Sequence, residues 1–418
     1  MNRVTNIAWR TASGARLGGF AYRYDALGRI VSRTHDLGGA TFDRDYAYDA
    51  MDRLAADGGT AYSYDAASNR MTRTEDGETV AYTLGQGDRP ASWTGGSYQH
   101  DAAGCVTRIS RGADTWDLAW NGQYQLVEVS TNGAFAEAYA YDALGRRVTT
   151  TNAEGTERHV YDDSWQVVAD LDEAGNVLRS YVWGEGIDRL LAVKIGSRTY
   201  TALTDLQGTV RGYADEGGNV VAKWTYDAWG NVLSEEISAS ATELRAVRYR
   251  FQGRERSAAT GLTNFRMRWY DAVTGRWLSK DPIGLSGGLN LFAFCGDDPV
   301  NHGDFLGNCP NDPASDIPPV VGPQTHHGPH GDYRADPFGH GRKPDGTPKD
   351  PHIDQYPKKG GHNRFDQNGD PLRGGKGRIP KADRGAFGAA VEDLRKFMPK
   401  MPPIMVMPSW IFMEPGTL

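Results

Sequence analysis

Through the first two-thirds of the chain, apolar residues alternate with small or polar ones in short runs. Each run closes on a Tyr-Asp step, passes a Gly or Asn, and resumes with β-branched residues. Copies read AYRYDALGRIVSRT (Tyr24, Asp25, Gly28, Arg29), YAYDAMDRLAA (Tyr48, Asp49, Arg53) and YSYDAASNRMTRT (Tyr64, Asp65, Arg70). They continue with YQHDAAGCVTRI (Asp101, Gly104), YAYDALGRRVTTT (Tyr141, Asp142, Gly145, Arg146) and WTYDAWGNVLSEE (Tyr226, Asp227, Gly230, Asn231), with weaker copies at HVYDDSWQVVAD and LDEAGNVLRSYVW. Period-two alternation predicts strands that carry Tyr22 with Tyr24, or Tyr139 with Tyr141, on one face. The Asp caps a turn through its carboxylate, and the Gly takes the left-handed position. Val, Ile and Thr then start the return strand. Each unit is a β-hairpin that cannot bury its apolar face alone, so neighbours must pair edge to edge.

The pattern stops after Gly307. CPNDPASDIPPVVGPQ makes up nearly all of a Pro-rich connector, residues 309–325, and 309–418 reads as a separate small α+β domain. Within it, HIDQY and HNRFD are candidate strands, and 384–398 has apolar positions Phe387, Val391, Leu394 and Phe397 at helical spacing. MPPIMVMPSWIF is apolar but broken by prolines, as an extended segment would be. Charge changes at the same place. Residues 1–308 hold 31 basic and 40 acidic side chains, net −9, whereas 309–418 hold 15 and 13, net +2, with six of the ten histidines. A cationic tail on an acidic body suggests a different partner for the tail.

Composition otherwise excludes more than it selects. No run of about 18 apolar residues exists to cross a bilayer as a helix. The start, MNRVTNIAWR, lacks the apolar core of a secretory signal, so export is expected to use a route that reads none, or an upstream segment absent from this chain. The three cysteines, Cys105, Cys295 and Cys309, lie too far apart for a disulfide framework or a zinc spacing and suit assembly in a reducing cytoplasm.

The repeats resemble the YD repeats of Rhs proteins, and TDLQGTVRGYADEGGNVVAKWTYDAWGN is similar to the segment preceding the Rhs core. FQGRERSAATGLTNFRMRWYDAVTGRWLSKDPIGLSGGLNLFAFCGDDPVNHGDFLG resembles the Rhs repeat-associated core almost position by position. The expected fold is therefore mainly β: an antiparallel YD-repeat sheet over 1–250 wound as part of a shell, the core over 251–308, and a variable toxin domain over 309–418. Shells of this kind use more repeats than this chain holds, so a missing N-terminal shell segment is expected to complete it.

The resemblance also assigns chemistry. Asp281 in KDPIGL and Asp304 in GDFLGN take the part of an aspartic-protease-like pair, one carboxyl ionised to activate water and one protonated to polarise the carbonyl. Scission would fall at Asn308–Cys309, and Lys280, where the family commonly has Arg, could hold a carboxylate ionised. Two departures bear on this. Phe305 stands where the family has Pro and loses the fixed φ. Asn308 stands where it has Leu, forgoing burial of an apolar group worth about 2 kcal/mol. The plainer alternative makes both aspartates turn residues, as X-Asp-Pro sequences often are.

The tail must be read directly. His352, His362 and Arg364 flank candidate strands, with Lys358 and Lys359 in the turn between. Such a set could deprotonate a ribose 2′-OH, neutralise a phosphate and protonate the leaving oxygen without a cofactor, as a metal-free ribonuclease does. A divalent metal site would instead use His326, His327 and His330 with Asp354. A solvated His-rich linker is the bland alternative. Two functions compete for the whole. One is a polymorphic toxin made in the bacterial cytoplasm and used in interbacterial competition. Its partners would be a type VI-like secretion apparatus and a cognate immunity protein, and its target the nucleic acid of another cell's cytoplasm. The other is a cell-surface interaction protein with carbohydrate- or partner-binding repeats and an inert tail.

Overall fold

The computed structural model describes residues 3–11, 13–184 and 187–308, and beyond them strands His326–His327, Gly331–Asp336, His352–Pro357, Asn363–Phe365 and Met413–Pro415. From Asn6–Arg10 to Val232–Ile237, twenty-three strands pair each with the next in one antiparallel meander. Helical structure among the described residues is confined to four 3₁₀ turns, of which Thr242–Ala246 is the longest. The chain is thus mainly antiparallel β, as the alternation implies.

Each repeat folds as it does because one aspartate satisfies three backbone needs. In the turn at Asp25, the Asp25 and Arg29 backbones pair (N to O, 3.0 Å), and Gly28 N donates to Asp25 O. Asp25 Oδ1 accepts from Arg29 N (2.8 Å), while Oδ2 takes Arg29 Nε (2.7 Å). Gly28 sits at φ 89°, where a Cβ would be strained. The same five-residue turn recurs at Asp49, Asp65, Asp142 and Asp227. It recurs also at three places not counted among the repeats from sequence: Asn121–Gln125, Asp205–Thr209 and Asp215–Asn219. The Asn121 copy replaces the Asp by Asn and puts Tyr124 at positive φ, which hides the motif.

The tyrosine of the motif joins one hairpin to the next. Tyr48 Oη donates to Ile30 O (2.6 Å), Tyr64 Oη to Leu54 O (2.7 Å) and Tyr141 Oη to Leu126 O (2.8 Å). In each case the acceptor is the first residue after the preceding turn. Arg29 and Arg53, which close those turns, also lie over the rings of Tyr48 and Tyr64 at 4.6 and 4.7 Å. A β-bulge falls at this tyrosine, between Ala47 and Tyr48 or Ala140 and Tyr141, and adds to the twist of each strand. Two residues earlier, Tyr22, Tyr46, Tyr62 and Tyr139 point inward and are buried.

Residues 251–300 fill the interior of this unit. Phe251, Phe265, Tyr270, Trp277 and Phe294 form one aromatic cluster, with Tyr270 and Phe294 stacked at 4.0 Å. Early and late strands meet around it: Leu206 N donates to Tyr22 Oη, and Ala228 N to Asp57 Oδ2. A buried lattice of charge fixes the filling segment to the wall. Arg248 binds both oxygens of Asp170, and Arg254 and Arg266 share Asp188.

The chain divides into two compact units, 1–316 with 408–418, and 317–407. In the first, Met413–Pro415 pairs with Asn6–Arg10 at the sheet edge. In the second, His326–His327, Gly331–Asp336, His352–Pro357 and Asn363–Phe365 form a four-stranded antiparallel sheet. The anticipated helix at 384–398, the connector 309–325 and the apolar 401–412 segment lie outside the described residues.

Candidate self-cleavage site and tail sheet

Asp281 and Asp304 come together on one guanidinium. Arg268 Nη2 lies 3.0 Å from Asp281 Oδ2 and 2.9 Å from Asp304 Oδ2. All three are buried, with 8% of Asp281 and 1% of Asp304 exposed. Asp281 opens a tight turn, its Oδ1 accepting from Ile283 N (3.0 Å) and its backbone O from Gly284 N. Gly287 packs so closely on Asp281 Oδ2 that a Cβ there would come within 2.6 Å. Asp304 opens the five-residue turn to Asn308, whose N donates to Asp304 Oδ1 (2.9 Å).

Electrostatics hold the trio in tension. Burial pushes the Asp281 carboxyl above its ordinary range and Arg268 pulls it back. Burial likewise disfavours the charge on Arg268, against which Asp304 and then Asp281 act. The guanidinium also lies over the Trp277 ring at 4.1 Å. Removing one member of such a buried ion cluster leaves an uncompensated charge, at a cost of about 3–5 kcal/mol.

Lys280 is elsewhere. It is exposed and runs alongside Gly104, so the cation at the carboxylates is Arg268, which sequence reasoning passed over. The signal was available: FRMRWYD places an arginine between apolar residues of a strand, where a cation is kept only if paired. Asn308 is buried, its Nδ2 3.5 Å from Met267 Sδ and its Oδ1 without a hydrogen-bond partner. Phe305 packs against Gly303. Cys309 lies outside the described residues.

In the tail sheet, the strands containing HIDQY and HNRFD do pair, with Ile353 opposite Phe365, Asp354 opposite Arg364 and Gln355 opposite Asn363. His352 is opposite Asp336, two residues from Asp354 and so in phase with Arg364. His327 is opposite Asp332, and His326 opposite Tyr333. His362 and His330 lie outside the described residues.

Among the described residues, one cluster has ligand atoms close enough for a metal ion: Glu157, His159 and Asp170, within 4.8 Å of one another. Arg179 and Arg248 already bind both of its carboxylates, so the negative charge a cation would need is neutralised.

An antiparallel meander of recurrent Tyr-Asp turns, each clasped to its neighbour, matches a known architecture. The sequence model described as Teneurin YD-shell aligns with residues 11–300. The chain belongs to the YD-shell family. Within that family it is a protein of the Rhs/YD-repeat kind. It is 28% identical over 314 residues to double-stranded DNA deaminase toxin A of Burkholderia cenocepacia, covering 66% of this chain and 20% of that protein. It is 30% identical over 291 residues to tRNA nuclease WapA of Bacillus subtilis, covering 67% of this chain and 11% of that protein. The Tc holotoxin pore of Photorhabdus luminescens shares the fold at a TM-score of 0.61 and 20% identity, over 75% of this chain and 18% of that one. The chain therefore spans a fifth or less of these relatives. Rhs-type toxins are among its homologues. Among the described residues no helix is long and apolar enough to cross a membrane.

Proposed function

We propose that this chain is the C-terminal part of an Rhs polymorphic toxin, in which the YD-shell unit cuts itself free from a toxic tail. The observation that supports this best is the burial of Asp281 and Asp304 on one arginine, against the last turn before the connector. Two carboxylates in a polypeptide-lined, water-poor site are the equipment of an aspartic hydrolase. On this reading residues 251–308 are the self-cleaving core and 309–418 the released domain, with the cut near Asn308 as the Rhs resemblance implies.

The tail is read as a nuclease acting on RNA in a target cell's cytoplasm. Relatives named as a tRNA nuclease and a DNA deaminase favour a nucleic-acid substrate. The register that puts Arg364 in phase with His352 favours the metal-free site of His352, His362 and Arg364 over a metal site on His326, His327, His330 and Asp354. A cognate immunity protein and a type VI-like apparatus complete the reading.

Two measurements test it. The purified chain should run as two associated fragments, one of about 308 residues by the position of the turn, and the Asp281→Asn chain as one band. Induction of 309–418 in bacteria should degrade RNA, and His352→Ala should stop it. An intact wild-type chain, or a harmless tail, would reject the corresponding half.

A further inference from the structure

A cavity of about 380 Å³ is lined by strands Ala134–Tyr141, Arg147–Asn152, Gly155–Tyr161 and Val232–Ile237 and by the segment 245–258. Small-molecule sites are of this size, about 300–1,000 Å³. Five arginines line it, in two sets. Arg147 and Arg248 bind Glu255, and Arg248 also binds Glu157 and Asp170, so their charge is neutralised within the fold. Arg245, Arg250 and Arg256 are placed differently. Among the described residues lining the cavity, the carboxylate that reaches this trio is Glu235. Its Oε1 lies 3.3 Å from Arg245 Nη1, and its Oε2 accepts from Trp224 Nε1 at 2.8 Å. Glu137 is turned instead to Tyr139, Ser257 and Ala259, and Glu154 is exposed at a hairpin tip.

Arg250 is the fixed member of the trio. It is 7% exposed, and its guanidinium lies over the Trp224 ring at 4.2 Å. Its Nη1 donates to Tyr249 O (3.0 Å) and its Nη2 to Leu244 O (3.3 Å), neutral acceptors that hold the group without balancing its charge. Arg256 is exposed, within reach of an anion from solvent. Desolvation by the surrounding protein, and then Arg250, disfavour its charge against the pull of Tyr226 and Glu235. A buried cation without a counter-ion is costly, and the cavity beside Arg250 gives one a place.

We propose that this cavity binds the phosphate of a small phosphomonoester, with Arg250 as its anchor and Arg245 and Arg256 reaching it from the rim. Three guanidiniums against one carboxylate match a dianion, which a phosphomonoester approaches near neutral pH and a simple carboxylate does not. Planar guanidinium forks suit phosphate oxygens. Ala246, Val247 and Ala258 give an apolar wall for the organic part. Asp281, Asp304 and Arg268 do not line the cavity, so the site stands apart from the self-cleavage reading.

Titration calorimetry of the full-length chain with glycerol 3-phosphate, beside inorganic phosphate and acetate, tests this. Saturable binding of glycerol 3-phosphate is expected, tighter than that of inorganic phosphate, with acetate failing to compete. Arg256→Gln, at an exposed position, should weaken binding about tenfold or more, as loss of a charge-assisted hydrogen bond does. Glu235→Gln keeps an acceptor for Trp224 Nε1 and removes the competing charge, so binding should tighten. Arg23→Gln makes an equal change of charge at an exposed residue outside the cavity and should leave binding unaltered. Arg250→Gln should abolish binding, and if that variant does not fold, the Arg256 and Glu235 variants still decide. Absence of saturable binding would overturn the proposal. Equal losses in Arg256→Gln and Arg23→Gln would overturn it too, by reducing the effect to net charge. Equal affinity for inorganic phosphate would overturn the assignment to an organic ester.

Discussion

The turn at Asp227 and the turn at Asp304 share a sequence pattern and two hydrogen bonds, Gly N to Asp O and Asn N to Asp Oδ1, yet are put to different ends. Both read Asp-x-x-Gly-Asn. In both, Oδ1 accepts from the Asn backbone N, at 2.8 Å in the first and 2.9 Å in the second, and the Gly takes positive φ. They part at the second oxygen. Asp227 Oδ2 binds the side chain of its own Asn231 at 2.8 Å and the turn is closed upon itself. Asp304 Oδ2 binds Arg268, and Asn308 Nδ2 is turned to Met267 Sδ instead. A carboxylate consumed by its own loop is structural. One that binds a distant cation shared with a second carboxylate is, on the proposed reading, the one that does chemistry.

That difference is broken most sharply by matched substitutions. Asp304→Asn should abolish processing, while Asp227→Asn, which keeps an Oδ1 acceptor for the turn, should leave it intact. The measurement is the ratio of cut to uncut chain after equal times. If both variants are cut normally, Asp304 is another repeat turn and nothing more. Neither substitution changes side-chain volume appreciably, so the contrast isolates charge from packing.

Sequence could carry this comparison only part of the way. The turns were legible because their chemistry is local: an Asp, a Gly and an amide or guanidinium four residues on, repeated. For the same reason Asn121–Gln125 escaped, since Asn121 supplies the same acceptor under a different name. Asp281 and Asp304 were legible through the family resemblance. The cation between them was sought at Lys280, next in sequence, whereas it comes from Arg268, a strand neighbour through space. Non-local pairing of this kind leaves no spacing to read. The tail hairpin was legible as two strand-like runs, and its register follows from pairing that no single-strand pattern fixes.

A second contrast lies between Asp297 and the turn aspartates, and it predicts a pH dependence. Asp25 and Asp49 are held below the usual carboxylate range by their arginines and backbone donors, despite some desolvation. Asp297 is 1% exposed, both of its oxygens lack hydrogen-bond partners, and burial pushes it up to about 7 against the pull of Arg276, Arg70 and Arg53. Its folded pKa exceeds the unfolded one, so the stability linked to its proton is complete below about 4 and lost as pH rises through about 7. Asp297→Asn should flatten that part of the profile and stabilise the unit above pH 7 by up to a few kcal/mol, because each tenfold change in proton affinity is worth about 1.4 kcal/mol. Urea unfolding of an uncut Asp304→Asn background, with and without Asp297→Asn, measures it. A parallel pH dependence in the two would place the titration elsewhere.

The smallest expected effect concerns the clasp between hairpins, and it separates the two tyrosine positions of a repeat. Tyr141 gives its hydroxyl to Leu126 O at 2.8 Å, beneath a ring that is only partly buried. Tyr139, two residues before, is buried and donates to the Glu137 carboxylate, which also accepts from Ser257 Oγ of the interior segment. Replacing Tyr141 by Phe deletes one neutral hydrogen bond to the carbonyl of Leu126, so about 1 kcal/mol should be lost. Tyr139→Phe deletes a bond to a charged group in a buried place, for which about 1.5–3 kcal/mol is usual. Equilibrium unfolding of the two variants should rank them in that order. The reverse ranking would mean that contact between hairpins, rather than contact with the interior segment, is what the tyrosines chiefly provide. Equal, negligible losses would mean that the aromatic rings alone carry the repeat, with the hydroxyls dispensable.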